Sequence, residues 1–374
     1  MPDYLISPKA PLIFRNGKPF GTEDNFADTL AFPLPSTIAG AIRTAWAESQ
    51  VNGFNYATDA DKLLRKKVLG PLLVRLNDAE TKPDIFFPAP ADSLCLNDNN
   101  GKRKINRLYP DGINADEEGT DLPGSLLPVF LDSNDQSKPA KNAPKFWNMD
   151  CMTQWLISEK TTIDADKQLE NLPREIRTHV SIDPNTFTGV DGHLFQTEGL
   201  DFSDQFGLLS WFQDEMPETY RTIGGESRLG HIQQQDLWPD CPLALTKALS
   251  NCNAFRLVLA TPAIFRNGYL PAWLNDDYEG QFGNLKVKLR AVSLPRWQAG
   301  TSWNMADKKS KQGKGMRTAD RLVPAGAVYW FDLISGHPSE LSERWLTSIS
   351  DARDQDGYGL VLPGVWTKSS NIQD

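Results

Sequence analysis

The feature that most constrains this chain is an internal repeat. Residues 4–17 lie on residues 255–268 without a gap, and Pro11, Ile13, Phe14, Arg15, Asn16 and Gly17 recur as Pro262, Ile264, Phe265, Arg266, Asn267 and Gly268. Each copy follows an apolar run of strand type. The two halves also close alike, on Ile223-Gly224-Gly225-Glu226-Ser227-Arg228-Leu229-Gly230 and on Asp356-Gly357-Tyr358-Gly359-Leu360-Val361-Leu362-Pro363-Gly364. Glycines in such loops let backbone pass close to a neighbouring strand or to a ligand. Gly230 runs into His231-Ile232 rather than Lys-Ser/Thr, so the first loop is not a phosphate-binding P-loop. A repeated frame of strand and glycine loop predicts two related modules, and 374 residues leave room for two domains.

Between these landmarks the periodicity alternates between helix and strand. Ser36 reads as an N-cap, followed by Ile38, Ala41, Ile42, Ala45 and Trp46 at helical spacing. The other face of that helix carries Ser36, Gly40 and Arg43, a surface that either admits an anion or is simply solvated. Residues 95–147 are rich in Asn, Asp, Pro, Gly and Lys and read as a long insertion or loop region. Arg174 to Ile182 alternates as a strand, with Arg177 and His179 on its polar face. Asp191-Gly192 predicts a hairpin turn between Thr186-Phe187-Thr188 and His193-Leu194-Phe195, and Ser203 to Met216 reads as a helix. Leu285 to Ala291 alternates with Lys286, Lys288 and Arg290 on one face, a candidate phosphate track. Ala327 to Leu333 reads as a strand and Ser339 to Ile349 as a helix. The expected fold is α+β: two ferredoxin-like (RRM-like) modules in tandem, over 1–245 and 250–374, the second short of its first helix.

Composition then limits the chemistry. The formal net charge is −9, which disfavours a general nucleic-acid coat protein; an RNA site must be a local basic groove on an acidic body. One basic stretch, Lys308 to Arg317, packs five cations into ten residues. No apolar run approaches the roughly 18 residues of a membrane span, and the four cysteines lie far apart with no Cys-x-x-Cys pair. The four histidines form no metal-ligand spacing, and no nucleophile elbow, kinase signature or dinucleotide fingerprint is present. Neither metal nor cofactor is expected. His179, beside Arg177, is either a binding or stacking residue or the general base of a metal-independent RNA cleavage.

Several ordered blocks resemble one family. Pro11 to Gly21 and Phe32 to Thr44, then His179-Val180-Ser181-Ile182-Asp183 with Gly192 to Glu198, then Gly224 to Leu229 and Val323 to Tyr329, are similar to the third subunit of the Cmr complex, the type III-B CRISPR effector. That subunit is a RAMP (repeat-associated mysterious protein) component. The resemblance implies a cytoplasmic, non-catalytic role in a ribonucleoprotein. The subunit would bind the 5′ tag of the guide (CRISPR) RNA and bridge the large polymerase/cyclase-type subunit to the backbone of RAMP subunits. It implies RNA contacts from Arg15, Lys18, Ser36, Thr37 and Arg43, a phosphate cradle at Gly224 and Gly225, and a phosphate clamp at Arg228. Arg177, His179, Thr186 and Phe187 would meet bases or a neighbouring subunit. The alternative is a RAMP endoribonuclease that cuts CRISPR transcripts with His179.

Overall fold

A computed structural model describes residues 2–15, 26–27, 29–51, 53–77, 82–97, 101–113, 119–131, 137–158, 163–203, 205–301, 303–304, 315–316, 318–369 and 372. Lys18 and the cations of 308–317 lie outside the described residues. Two compact units share the chain. One takes Met1–Asp84, Asn171–Trp238 and Ala299–Asp320, the other Ile85–Glu170, Pro239–Gln298 and Arg321–Asp374. The class is mixed α/β with strands predominating.

In the first unit the elements are β1 (Asp3–Pro8), α1 (Pro35–Glu48), α2 (Tyr56–Leu64), β2 (Val68–Arg75), β3 (Arg174–Ile182), β4 (Gly189–Leu200), β5 (Phe206–Phe212), β6 (Thr219–Ile223) and β7 (Arg228–Gln235). Five strands run antiparallel in the order β6-β7-β1-β5-β2. β1 is central, with Leu5 opposite Leu209 on one side and Gln233 on the other. That position explains its sequence, because Tyr4, Leu5 and Ile6 are all buried and a strand covered on both faces needs no alternation. The same burial explains why 203–216 does not form the expected helix. Phe206, Leu208, Leu209 and Phe212 are buried across both faces of β5, and a short apolar run mimics helical spacing. α1 begins two residues earlier than expected: Leu34 rather than Ser36 is the N-cap, without a side-chain bond, and Pro35 opens the helix. Ile38, Ala39, Ile42 and Ala45 form its buried stripe.

The second unit carries β8 (Ala254–Leu259), β9 (Glu279–Phe282), β10 (Leu285–Ser293), β11 (Val328–Ser335) and β12 (Val361–Val365), in the order β9-β10-β11-β8-β12, all antiparallel. In both units the four principal strands stand last–first–third–second, and the two copies of the repeat supply the same strand, β1 and β8. No helix of the described residues joins β8 to β10, whereas α1 joins β1 to β2. The expected helix 339–349 shrinks to Glu340–Glu343, because the chain turns at Leu346 with a φ of 52°. The expected cation row on β10 is broken by a bulge between Leu289 and Ala291 that turns Arg290 inward, 3.5 Å from Asp332. Residues 95–147, expected as a loop region, hold short strands instead: Ser93–Asn97, Arg103–Pro110, Val129–Leu131, Lys138–Pro139 and Phe146–Asn148. Their polar composition conceals brief alternations that bury Cys95, Leu96 and Ile105.

A buried charge cluster ties this unit together. The Asp92 carboxylate, wholly enclosed, accepts from Arg107 Nη1 at 2.9 Å and Trp155 Nε1 at 2.8 Å, with Arg256 Nε 3.5 Å away. Both guanidiniums also donate to Trp155 O, a carbonyl at the C-terminal end of the helix Met149–Ile157. Two arginines thus share one carboxylate and a helix end, which offsets much of the cost of enclosing them.

Candidate nucleic-acid interface

The site grows from a hairpin that the first unit does not cover. β3 and β4 pair antiparallel from Arg174 opposite Leu200 to Val180 opposite Leu194, then slip by a bulge so that Ile182 faces Gly189. The turn is not at Asp191-Gly192, which lie inside β4, but at 183–188. There Asp183 N donates to Thr188 O, Phe187 N to Asp183 O, and Asn185 N to Asp183 Oδ1, and the Thr186 and Thr188 hydroxyls bond at 2.9 Å. These bonds close the tip and hold Phe187 at a φ of 56°, a left-handed conformation that a bulky residue adopts only under constraint. Its ring is 81% exposed.

The two faces of the hairpin differ. Direct cross-strand partners share a face, so Ile176, Val180 and Leu194 stand together, each roughly half exposed, with Ile182 beyond the bulge exposed as well. On the opposite face His179 stacks on its partner Phe195, with centroids 5.1 Å apart and planes 14° apart, and its Nε2 bonds the Thr197 hydroxyl at 2.9 Å. Arg177, one pair further down, is ion-paired with Glu175. Glu175, and more distantly Glu226, raise the guanidinium's pKa above its ordinary value, so it is a permanent cation.

Three segments converge on the hairpin's base. Leu12 and Leu200 exchange backbone bonds at 2.8 and 2.9 Å, Arg15 bridges Thr29, and Thr29 N donates to Glu198 Oε2, which also receives Arg174 at 2.6 Å. The glycine loop arrives from the other side. Gly224 has a φ of 70°, and a Cβ there would lie 2.5 Å from Ile13 O. Gly225 N donates to Ile13 O at 2.8 Å. The repeat strand and the glycine loop therefore touch one another; these glycines serve a backbone crossing, and the Gly225 amide is already engaged. Arg228 leaves the loop 2.8 Å from Glu226.

Of the expected RNA contacts, Arg15, Arg177, Gly224, Gly225 and Arg228 are thus brought to one region, with His179 and Thr186 further along the same hairpin. Ser36 and Thr37 are half-buried in the first turn of α1. Arg43 is only 4% exposed and donates from Nε and Nη2 to Lys66 O at 2.9 and 2.6 Å, facing the protein rather than solvent. Sequence reasoning missed Arg174, Glu198, Thr197 and Phe195. Their signal is cross-strand pairing, visible only once the register of β3 on β4 is known. Arg174, Arg177 and Arg228 each face a carboxylate; an exposed pair such as Arg177–Glu175 holds its partner weakly, so a phosphate can displace it.

A family model described as CRISPR-associated protein (Cas_Cmr3) matches residues 4–366. No curated protein matches the chain. Among solved structures, a chain in the cryo-EM structure of the Type III-B Cmr-beta bound to cognate target RNA is similar in fold, with 14% identity, 96% of each chain covered and a TM-score of 0.50. A chain from that assembly bound to cognate target RNA and AMPPnP, state 1, matches at 14% identity over 88% of this chain and 86% of that one, with a TM-score of 0.46.

Proposed function

The chain belongs to the Cmr3 family of CRISPR-associated proteins, and from that premise we propose that it is a non-catalytic subunit of a type III-B CRISPR ribonucleoprotein that holds the 5′ tag of the guide RNA. In the same reading it bridges the large polymerase/cyclase-type subunit to the backbone of RAMP subunits. The observation that carries the proposal is the β3–β4 hairpin. Isolated exposed apolar residues are ordinary, but Ile176, Val180, Ile182, Phe187 and Leu194 are gathered on one projecting element, with cations and a stacked His–Phe pair behind them. Unpaired bases are recognised by that combination: flat rings to stack on and guanidiniums for phosphates.

His179 serves here as part of a platform. Its Nε2 is engaged by Thr197 and its ring by Phe195, an arrangement that fixes a stacking surface rather than freeing a base for proton transfer. The shared last–first–third–second strand order, with every neighbour antiparallel, supports reading both sheets as ferredoxin-like modules that have each lost a helix.

The test is guide-RNA retention by complexes assembled with Arg177→Ala, Arg228→Ala or Phe187→Ser. The expected result is a loss of about tenfold or more in affinity for a tagged guide, with little change for an untagged strand of equal length. Equal affinity for both strands in the wild-type complex, or unchanged retention in all three variants, would overturn it.

A further inference from the structure

The first unit holds a second feature that the hairpin does not use. At the C-terminal end of α1, beside α2, lies a cavity of about 600 Å³, within the size range of small-ligand sites. One wall is aromatic: Trp46 and Phe54 meet edge to face, 6.3 Å between centroids and 74° between planes. The mouth is basic. Lys62, Arg65 and Lys66 line it, from a six-residue stretch, 62–67, that carries four cations in a chain of net charge −9. Lys62 is 3.0 Å from Asp59, and Lys66 is 2.6 Å from Asp214 with its ammonium 4.0 Å from the Trp46 ring centroid. Arg65 is exposed and has no hydrogen-bond or ion-pair partner among the described residues.

Two details show that the local electrostatics suit an anion. A helix C-terminus ordinarily repels negative charge, but here Trp46 O already accepts from Ser49 Oγ at 2.7 Å and Gln50 Nε2 at 3.0 Å. Arg43 provides the second. Its two donors grip Lys66 O, anchoring the basic stretch against α1 and setting Lys66 over Trp46. Arg43 is a positioning residue for this cluster.

We propose that the cavity binds a nucleoside 5′-phosphate, either free or as one nucleotide of an RNA strand. The base lies against the Trp46–Phe54 wall and the phosphate meets Arg65 and Lys62. An inorganic anion would use only the mouth and a bare nucleoside only the wall. A ligand carrying a flat ring and a phosphate uses both. This inference stands on the cavity alone and does not depend on the family reading.

Calorimetric titration of the full chain with AMP, adenosine, inorganic phosphate and a hexanucleotide RNA tests it. AMP is expected to bind at least about tenfold more tightly than adenosine or phosphate, because it alone engages wall and mouth together. Val51, at the rim, is fully exposed, so Val51→Asp adds repulsion without touching the core. Val51→Asp and Arg65→Ser together are expected to weaken AMP by about tenfold or more, with an unchanged melting temperature confirming the fold. A hexanucleotide that binds more tightly than AMP and is displaced by it assigns the site to a strand. One that does not compete assigns it to a free nucleotide. AMP binding no tighter than phosphate, or AMP affinity unchanged in a folded double variant, overturns the proposal.

Discussion

Consider replacing Ile176, Val180 and Leu194 together by serine. In the isolated chain these side chains are 57%, 45% and 58% exposed, so about half of each is already in water. Fully burying such a side chain is worth about 1.5–3 kcal/mol, so what remains to be gained by covering it is about 1 kcal/mol, or roughly 3 kcal/mol for the three. If a partner covers this face, the triple variant should weaken association on the order of a hundredfold. The isolated chain should lose at most about 2.5 kcal/mol in all. Exposed substitutions usually cost within about 0.5 kcal/mol each, plus the Val180–Leu194 cross-strand contact at about 0.2–1 kcal/mol. Two measurements decide it: thermal unfolding of the free chain, and the concentration at which the variant joins a reconstituted complex with guide RNA. A melting temperature lower by more than about 8 °C with normal assembly would refute the reasoning, since the face would then belong to the chain's own core.

Other substitutions probe the scaffold. Asp92→Ala leaves the Arg107 and Arg256 guanidiniums enclosed without their shared carboxylate and should cost about 3–5 kcal/mol in denaturant unfolding. Adding Arg107→Met and Arg256→Met should recover most of that loss, and an Asp92→Ala chain as stable as wild type would show that the carbonyl bonds suffice alone. Gly224→Ala forces a left-handed alanine against Ile13 O; a loss of about 1–3 kcal/mol is expected, read by unfolding and by faster amide exchange at Gly225. Burial, aided by Asp150, pushes the Cys151 thiol from its ordinary 9.0 up to about 12. The folded form therefore keeps the proton that the unfolded form loses, so this thiol's contribution to stability is complete below pH 9 and falls away as pH rises toward about 12. Alkylation of Cys151 in the native chain at pH 8 should accordingly be slow, and fast labelling would contradict its burial.

The legible parts of the fold were those with one dominant signal. The repeat located two equivalent strands, and alternation found β3 and β10, because each shows a period of two where it counts. α1 was legible from its apolar stripe, although Pro35 rather than Ser36 set its start. Phe206 to Phe212 was not legible, because a strand buried on both faces has no period. Arg290 was misread because a single bulged residue inverts which side a cation faces. Arg43 shows the same limit at the site: its spacing put it on the helix face away from the stripe, while the turn before β2 lies over that face and takes its donors. Tertiary cover, which no local pattern encodes, decided both.

The interleaving of the two units has a consequence for biogenesis. Asp3 pairs with Gln235, and the first unit also claims Ala299–Asp320, while the second waits for Arg321–Asp374. A nascent chain leaving the ribosome therefore completes neither unit until most of it has emerged, and the usual vectorial order, in which an early domain folds before a later one appears, is closed to it. During that interval β1, whose Tyr4, Leu5 and Ile6 are buried in the finished fold, has no neighbour on either side. Pairings so distant in sequence form slowly, so recombinant yield should depend on chaperone supply and growth temperature more steeply than the stability of the finished protein suggests. A chain cut between its two repeats would inherit pieces of both units and the whole of neither.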